Sequence, residues 1–266
     1  MKNFMKLAAV VLIGLCSCQE GNAPQETKET NIELVAGTKK DTARVNIDMP
    51  IYANEQVNKA ILEQLSETLD GTYKGDYADV DSFARHWLRI NMEEMAEMHS
   101  DDEDTWSEDM EFMMHYEREL HITKIYETEL LVTLNIQLYI YSGGAHGSTI
   151  DYGMTFRKSD GRLMGKNILN TLEGDDGWRD MMYQELMGYF NVKTEEELSE
   201  CLFEPELYKL DLPDAEPYFT EDGLTFTYQQ YEIAAYAYGM PSFTIPYDKV
   251  KKYLNVTGLR LLGVED

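Results

Sequence analysis

The sequence predicts an α+β fold with a mainly antiparallel sheet and packed helices, and three observations carry that expectation. Val132, Leu134, Ile136, Leu138 and Ile140 alternate with Thr133, Asn135, Gln137, Tyr139 and Tyr141, a period of two that marks a strand with unlike faces. Ser159-Asp160-Gly161 and Asp222-Gly223 supply hairpin turns. Helical stripes are grouped rather than strictly alternating with strands, which argues against a parallel βαβ sheet.

In chain order, Val45, Ile47 and Met49 alternate with polar residues up to Pro50 and predict a strand. Asn54 opens a helix whose stripe is Val57, Ala60, Ile61, Leu65 and Leu69, and Gly71 stops it. A second helix begins at Asp81 with Phe83, Trp87, Ile90 and Met95 as its inner face. From Glu93 to Glu119 there are twelve acids and a single base, Arg118. Strands take over after Leu120, and the segment from Met154 to Leu163 turns at Asp160-Gly161. Helical patterns return at Trp178, Met181, Met182, Leu186 and Tyr189, and Thr194 to Glu197 reads as a capping box. Leu224, Phe226 and Tyr228 form a strand with Phe243-Thr244-Ile245 as its partner, and Lys249 to Leu254 is a short closing helix. No repeat of 20–50 residues is visible. The expected organisation is a leader over residues 1–17, a tether over 18–40, an N-terminal lobe over 41–128 and a C-terminal lobe over 129–266.

Charge narrows the function classes. The 266 residues carry 23 Lys+Arg against 49 Asp+Glu, a net charge of −26. A nucleic-acid binder needs a basic stripe that displaces counterions, and this chain repels phosphate. Hydrophobic content of 43% and aromatic content of 11% belong to a globular chain rather than an acidic disordered one. A mean hydropathy of −0.44 excludes a polytopic membrane protein.

The N-terminus reads as a targeting segment. Lys2 and Lys6 precede an apolar run from Leu7 to Leu15, which as a helix rises about 14 Å, far short of the ~30 Å hydrocarbon core. The run ends Leu15-Cys16-Ser17-Cys18, which resembles a bacterial lipoprotein cleavage box, with Cys18 as the lipidated residue. Loss of Lys2 and Lys6 with the leader takes the charge to −28. Cys16 leaves with the leader and Cys18 carries lipid, so Cys201 has no disulfide partner and the fold must stand on its core. The expected location is the bacterial envelope, on the outer membrane through the lipid alone.

Two segments are candidates for recognition. Tyr141-Ser142-Gly143-Gly144-Ala145-His146-Gly147 follows a strong strand, and three glycines admit backbone torsions closed to other residues. It is either a binding loop presenting His146 and bared amides, or a tight bend with His146 satisfied by a neighbouring carbonyl. Tyr228 to Gly239 holds four tyrosines, with Tyr231 and Tyr236 as the candidate contacts; tyrosine suits both a recognition surface and a half-buried sheet. No Gly-x-Ser-x-Gly elbow surrounds Ser142 or Ser148 beside His146. His99, His115 and His121 flank the acidic run without His-Glu-x-x-His spacing, and Asp101, Asp102 and Asp104 lack the spacing of a calcium loop. The sequence therefore offers no catalytic assignment, no metal site and no cofactor.

Three stretches together resemble a known family. They are Tyr141 to Gly147 with Phe156 and Asp160-Gly161-Arg162; Val45 to Val57; and Gly223-Leu224-Thr225-Phe226 through Tyr231-Glu232-Ile233-Ala234 to Ile245-Pro246-Tyr247. This combination resembles the extracytoplasmic domain of RsiV-type anti-sigma factors, a module also found beside the catalytic domain of PdaC-type peptidoglycan deacetylases. The resemblance spans about Asp41 to Leu254. It implies a two-lobed domain that in RsiV-type members receives lysozyme; the candidate contacts here are Tyr141, Gly143, Gly144, His146, Gly147, Tyr231 and Tyr236, with the loop open to either a contact or a scaffold role. Beside those architectures the sequence reads as the sensor module alone, with no transmembrane helix, sigma-binding segment or deacetylase domain expected. The partner expected is a lysozyme-like cationic protein or a peptidoglycan-related ligand; contact with glycan or another lipoprotein, and an unrecognised hydrolase, are the alternatives.

Overall fold

The computed structural model describes residues 8–11, 28–38, 40–77, 79–102, 115–172 and 175–264. Cys18, most of the expected leader and the first part of the expected tether lie outside them. The fold is α+β, as the alternating and helical patterns predict. The chain forms two compact units, each assembled from three stretches: residues 1–124, 136–149 and 159–162, and residues 125–135, 150–158 and 163–266.

The first unit is built on strands in the order β1-β2-β3-β4-β5-β6: β1 (Ala8–Val11), β2 (Lys28–Gly37), β3 (Asp41–Ile51), β4 (Tyr116–Glu127), β5 (Leu131–Ser142) and β6 (Ser148–Arg157), the last three continuing into the second unit. One expectation is corrected here. Residues 28–37, read as part of a polar tether, are a strand paired antiparallel with β3 along its whole length. The reason lies in Ile32, Leu34 and Ala36, which alternate with polar residues and are all buried. Short β1 pairs antiparallel with the other edge of β2, Ala8 opposite Val35.

β3 and β4 run parallel, Asp41 opposite Tyr116, whereas β1–β2 and β2–β3 are antiparallel. Two helices, α1 (Glu55–Leu69) and α2 (Val80–Asp102), occupy the connection that a parallel pair requires. Asn54 caps α1, its Oδ1 accepting from the Gln56 amide at 3.1 Å. Buried Asn58 accepts from the Tyr52 amide at 2.8 Å and donates to the Tyr52 carbonyl at 2.7 Å, fixing the β3–α1 corner. α2 buries Phe83, Ala84, Trp87, Leu88, Met92 and Met95, the large side chains each contributing roughly 1.5–3 kcal/mol if fully withdrawn from water. Ile90, expected on that face, is half-buried, because the stripe steps through 84, 87/88, 92 and 95 and leaves it on the flank. Gly161 sits at φ 71°, and a Cβ there would stand 2.6 Å from Ala60 Cβ and 2.9 Å from the Val57 carbonyl.

The second unit holds the antiparallel sheet β7 (Tyr218–Phe219), β8 (Gly223–Thr227) and β9 (Ser242–Pro246). Packed with it are α3 (Asp176–Phe190), α4 (Glu195–Cys201), α5 (Tyr247–Val250) and α6 (Val256–Leu261). Asp175 caps α3, and Asn191 ends it in the left-handed conformation at φ 56°. Thr194 opens α4 as expected: its Oγ1 accepts from Glu197 N, and the Glu197 carboxylate accepts from Lys193 N at 2.7 Å. Trp178 packs edge-on against Phe226 and Tyr253, and Phe226 stacks on Phe243 at 4.9 Å. α6, capped by Asn255, follows the closing helix and had no clear periodic signal in the sequence. Cys201 is free and half-buried. Among the described residues no helix is long and apolar enough to cross a membrane, and no cluster of three or more His, Cys, Asp or Glu could hold a metal ion.

Candidate functional site

The parallel register brings the first residues of β3 and β4 side by side, and β5 returns through the turn at Thr128–Leu131 to end beside them. A polar cluster gathers at that end of the first unit. Asp41 is only 4% exposed, and its Oδ1 lies 2.7 Å from His99 Nε2 on the last turns of α2. A carboxylate only accepts, so Nε2 carries the shared proton. The His99 ring stacks on Tyr116 at 4.5 Å, which fixes the imidazole in one orientation. The Thr38 hydroxyl accepts from the Asp41 amide at 3.0 Å, which seats the carboxylate within the β2–β3 turn.

Arg118, two residues into β4, is 6% exposed. Its Nη1 donates to the Tyr141 carbonyl at 3.3 Å and the Ser142 hydroxyl at 3.0 Å. Burial lowers the pKa of this guanidinium, while Glu94 and Tyr116 oppose the effect. The sole base of the acidic run is thus a clamp on the root of the glycine loop. His115 packs its ring against Tyr141 at 4.8 Å, on the same root.

The loop itself has a defined shape. Gly143 and Gly144 adopt φ of 79° and 93°, the left-handed side where a Cβ is strained. The Tyr141 hydroxyl donates to the Gly144 carbonyl at 2.9 Å, so the tyrosine reaches across its own loop. His146 Nδ1 lies 3.0 Å from the Gly147 carbonyl and donates to it, as the bend reading anticipates, while the imidazole stays exposed. A Cβ on Gly147 would collide with the Tyr139 ring, whereas one on Gly144 would meet nothing within 4 Å. Gly147 therefore serves packing, Gly143 and Gly144 serve the turn, and Ala145-His146 is the presented tip.

Tyr231 and Tyr236 belong to the second unit and are brought together there, with ring centroids 5.7 Å apart. Tyr231 holds φ 64° and is 55% exposed, an uncommon backbone for a bulky residue. Its neighbours impose it. The Glu232 carboxylate accepts from Gln229 N at 2.6 Å and Asp214 N at 2.7 Å. The Gln229 amide meanwhile pairs both ways with the Asp151 backbone, at 3.1 and 3.0 Å. Tyr228 is buried, donates to the Asp211 carbonyl at 2.6 Å, and has its pKa raised chiefly by burial. Of this tyrosine segment, Tyr228 belongs to the core and Tyr231 to the surface.

Sequence reasoning missed Asp41, His99 and Arg118 as members of one cluster. Arg118 carried a signal, as the one base among twelve acids. Asp41 and His99 are 58 residues apart with no motif joining them.

Comparison with known proteins follows these two parts of the molecule. Residues 37–149, which include the polar cluster and the glycine loop, match the family model described as deacetylase PdaC. Residues 182–248, which include Tyr231 and Tyr236, match the model described as a protein of unknown function, DUF3298. No curated protein matches the chain. A crystal structure of a DUF3298 family member from Bacteroides fragilis is similar in fold, with a TM-score of 0.66 at 18% identity, over 90% of this chain and 97% of that one. A DUF3298 family protein from Pseudomonas aeruginosa gives a TM-score of 0.53 at 16% identity, over 88% of this chain and 96% of that one. At these identities the likeness concerns the fold.

Proposed function

We propose that this chain is a non-catalytic binding module of the RsiV type, carried in the bacterial envelope on a lipid at Cys18. Its leading partner is a cationic, lysozyme-like muramidase. The observation that carries the reading is the loop from Tyr141 to Gly147, a rigid turn with a small, exposed tip. The buried Arg118 of β4 holds its root, and His146 Nδ1 is committed to a backbone carbonyl. Such a loop can enter a concave partner with little side-chain bulk and little ordering cost. The net charge of −26 would steer a basic protein toward it. On this reading the leader departs on export and takes Ala8–Val11 with it, leaving β2 as the outer strand.

The test is binding of the soluble chain from Gln19 onward to a c-type lysozyme at about 50 and about 300 mM salt, where screening lengths differ about 2.5-fold. An equally basic unrelated protein serves as control. Binding that survives the higher salt and discriminates against the control supports the proposal; binding to both proteins that vanishes with salt reduces it to charge attraction. A second reading, contact with peptidoglycan fragments, is favoured by the exposed Tyr231 beside Tyr236, since paired aromatic faces suit sugar rings.

A further inference from the structure

The second unit contains a cavity of about 430 Å³ that is separate from the loop and independent of its proposed role. Phe219, Tyr247, Tyr126 and Leu261 wall it, and Glu129 and Lys251 reach it from different elements. Local structure explains each placement. The Thr128 hydroxyl accepts from the amides of Leu130 and Leu131 at 3.1 and 3.2 Å, a tight turn that leaves Glu129 and Leu130 standing outward. Leu130, also on the cavity, is 45% exposed. The Tyr247 hydroxyl donates to the Thr220 carbonyl at 2.5 Å, and its ring stacks on Phe219 at 6.1 Å, so the aromatic wall is fixed. Burial and the adjacent Tyr126 raise the Tyr247 pKa, which keeps that wall uncharged. Lys251 opens the single-turn segment Lys251–Tyr253 that follows α5.

The two charged side chains are exposed, and neither forms an ion pair or hydrogen bond among the described residues. They are not within pairing distance of one another, yet they share one apolar-walled space. A purely apolar ligand would leave both charges unused. An anion or a cation alone would meet one opposite and one like charge. A ligand bearing both charges around an aliphatic body satisfies all three features. We infer that this cavity binds a short apolar peptide with free termini, Lys251 taking its carboxylate and Glu129 its ammonium group. Clefts that take small ligands span roughly 300–1,000 Å³, so a cavity at the low end fits a dipeptide.

The test uses the full chain and dileucine as probe, read by titration calorimetry. Fully capped N-acetyl-dileucine amide, with neither charge, and N-acetyl-dileucine, with the carboxylate alone, are the comparison ligands. The expected result is that dileucine binds at least roughly tenfold tighter than the fully capped form, as two charge-assisted contacts in a partly desolvated site allow. Lys251→Gln and Glu129→Gln, both at exposed positions where folding is not at stake, should each weaken dileucine roughly three- to tenfold and leave the fully capped form unchanged. Equal affinity for charged and fully capped ligands would overturn the inference. So would equal affinity for dileucine and N-acetyl-dileucine, which would remove Glu129 from the site, and so would absence of binding to all three.

Discussion

Removal of the His99 imidazole tests whether the polar cluster is a coupled unit. In His99→Ala, Asp41, 4% exposed in the native chain, loses its partner at 2.7 Å, leaving the Thr38 hydroxyl at 3.4 Å as its side-chain hydrogen bond among the described residues. A hydrogen bond to a charged group contributes about 1.5–3 kcal/mol, and a buried acceptor left unmade costs about as much. Loss of the stack on Tyr116 at 4.5 Å adds about 0.5–1.5 kcal/mol. Because His99 retains 21% side-chain exposure, water can recover part of this. The expected net loss is therefore about 2 kcal/mol. For a chain of this size that lowers the melting temperature by about 4–8 °C. The assay is scanning calorimetry of His99→Ala, Asp41→Asn and the double variant, arranged as a thermodynamic cycle. Asp41→Asn alone should also destabilise, and the double variant should fall well short of the sum, with a coupling of about 1.5 kcal/mol or more. Additivity within about 0.5 kcal/mol would refute the reasoning and make the close approach of the two side chains energetically idle.

Two further outcomes follow from the same physics. Gly147→Ala should displace the loop against the Tyr139 ring and weaken binding of the loop's partner, whereas Gly144→Ala should cost only about 1–2 kcal/mol of stability, from its φ of 93°, with no collision. Binding and melting measurements on both variants separate the two effects. Absorbance titration of tyrosine should show a class that resists ionisation: burial pushes Tyr152 up to about 12, and Tyr228 and Tyr247 are also raised chiefly by burial. The folded state then holds these protons more tightly than the unfolded chain. Their contribution to stability is complete below the unfolded value near 10 and is lost as pH rises from about 10 to about 12. A single transition near 10 with no dependence on unfolding would contradict it.

Much of the fold was legible because local rules are strong where side chains act on their own backbone. Asn54 and Thr194 announced their helices through short-range capping, and Ser159-Asp160-Gly161 marked a turn whose glycine sits at φ 71°. The alternation through Val132 to Ile140 gave β5, although its first end is buried on both faces, Leu131, Val132, Thr133 and Leu134 all being inaccessible. What misled was composition: the Thr- and Glu-rich stretch around Ile32 and Leu34 looks solvated until β3 supplies a partner along its length. The parallel register of β3 and β4 had no local signal either, since it depends on where two intervening helices dock.

By itself, the sequence determined the α+β class, the positions of most elements, the strongly acidic net charge, and the glycine loop as a place of unusual backbone. These are properties of neighbours along the chain, where propensity, capping and periodicity act within a few residues. Only the tertiary structure decided that Asp41 meets His99, that Arg118 grips the loop root, that Tyr231 faces outward while Tyr228 is buried, and that Glu129 and Lys251 share a cavity. The Asp41–His99 and Arg118–loop contacts join residues far apart in sequence, and their energy arises from burial and dielectric environment that exist only once the core has closed.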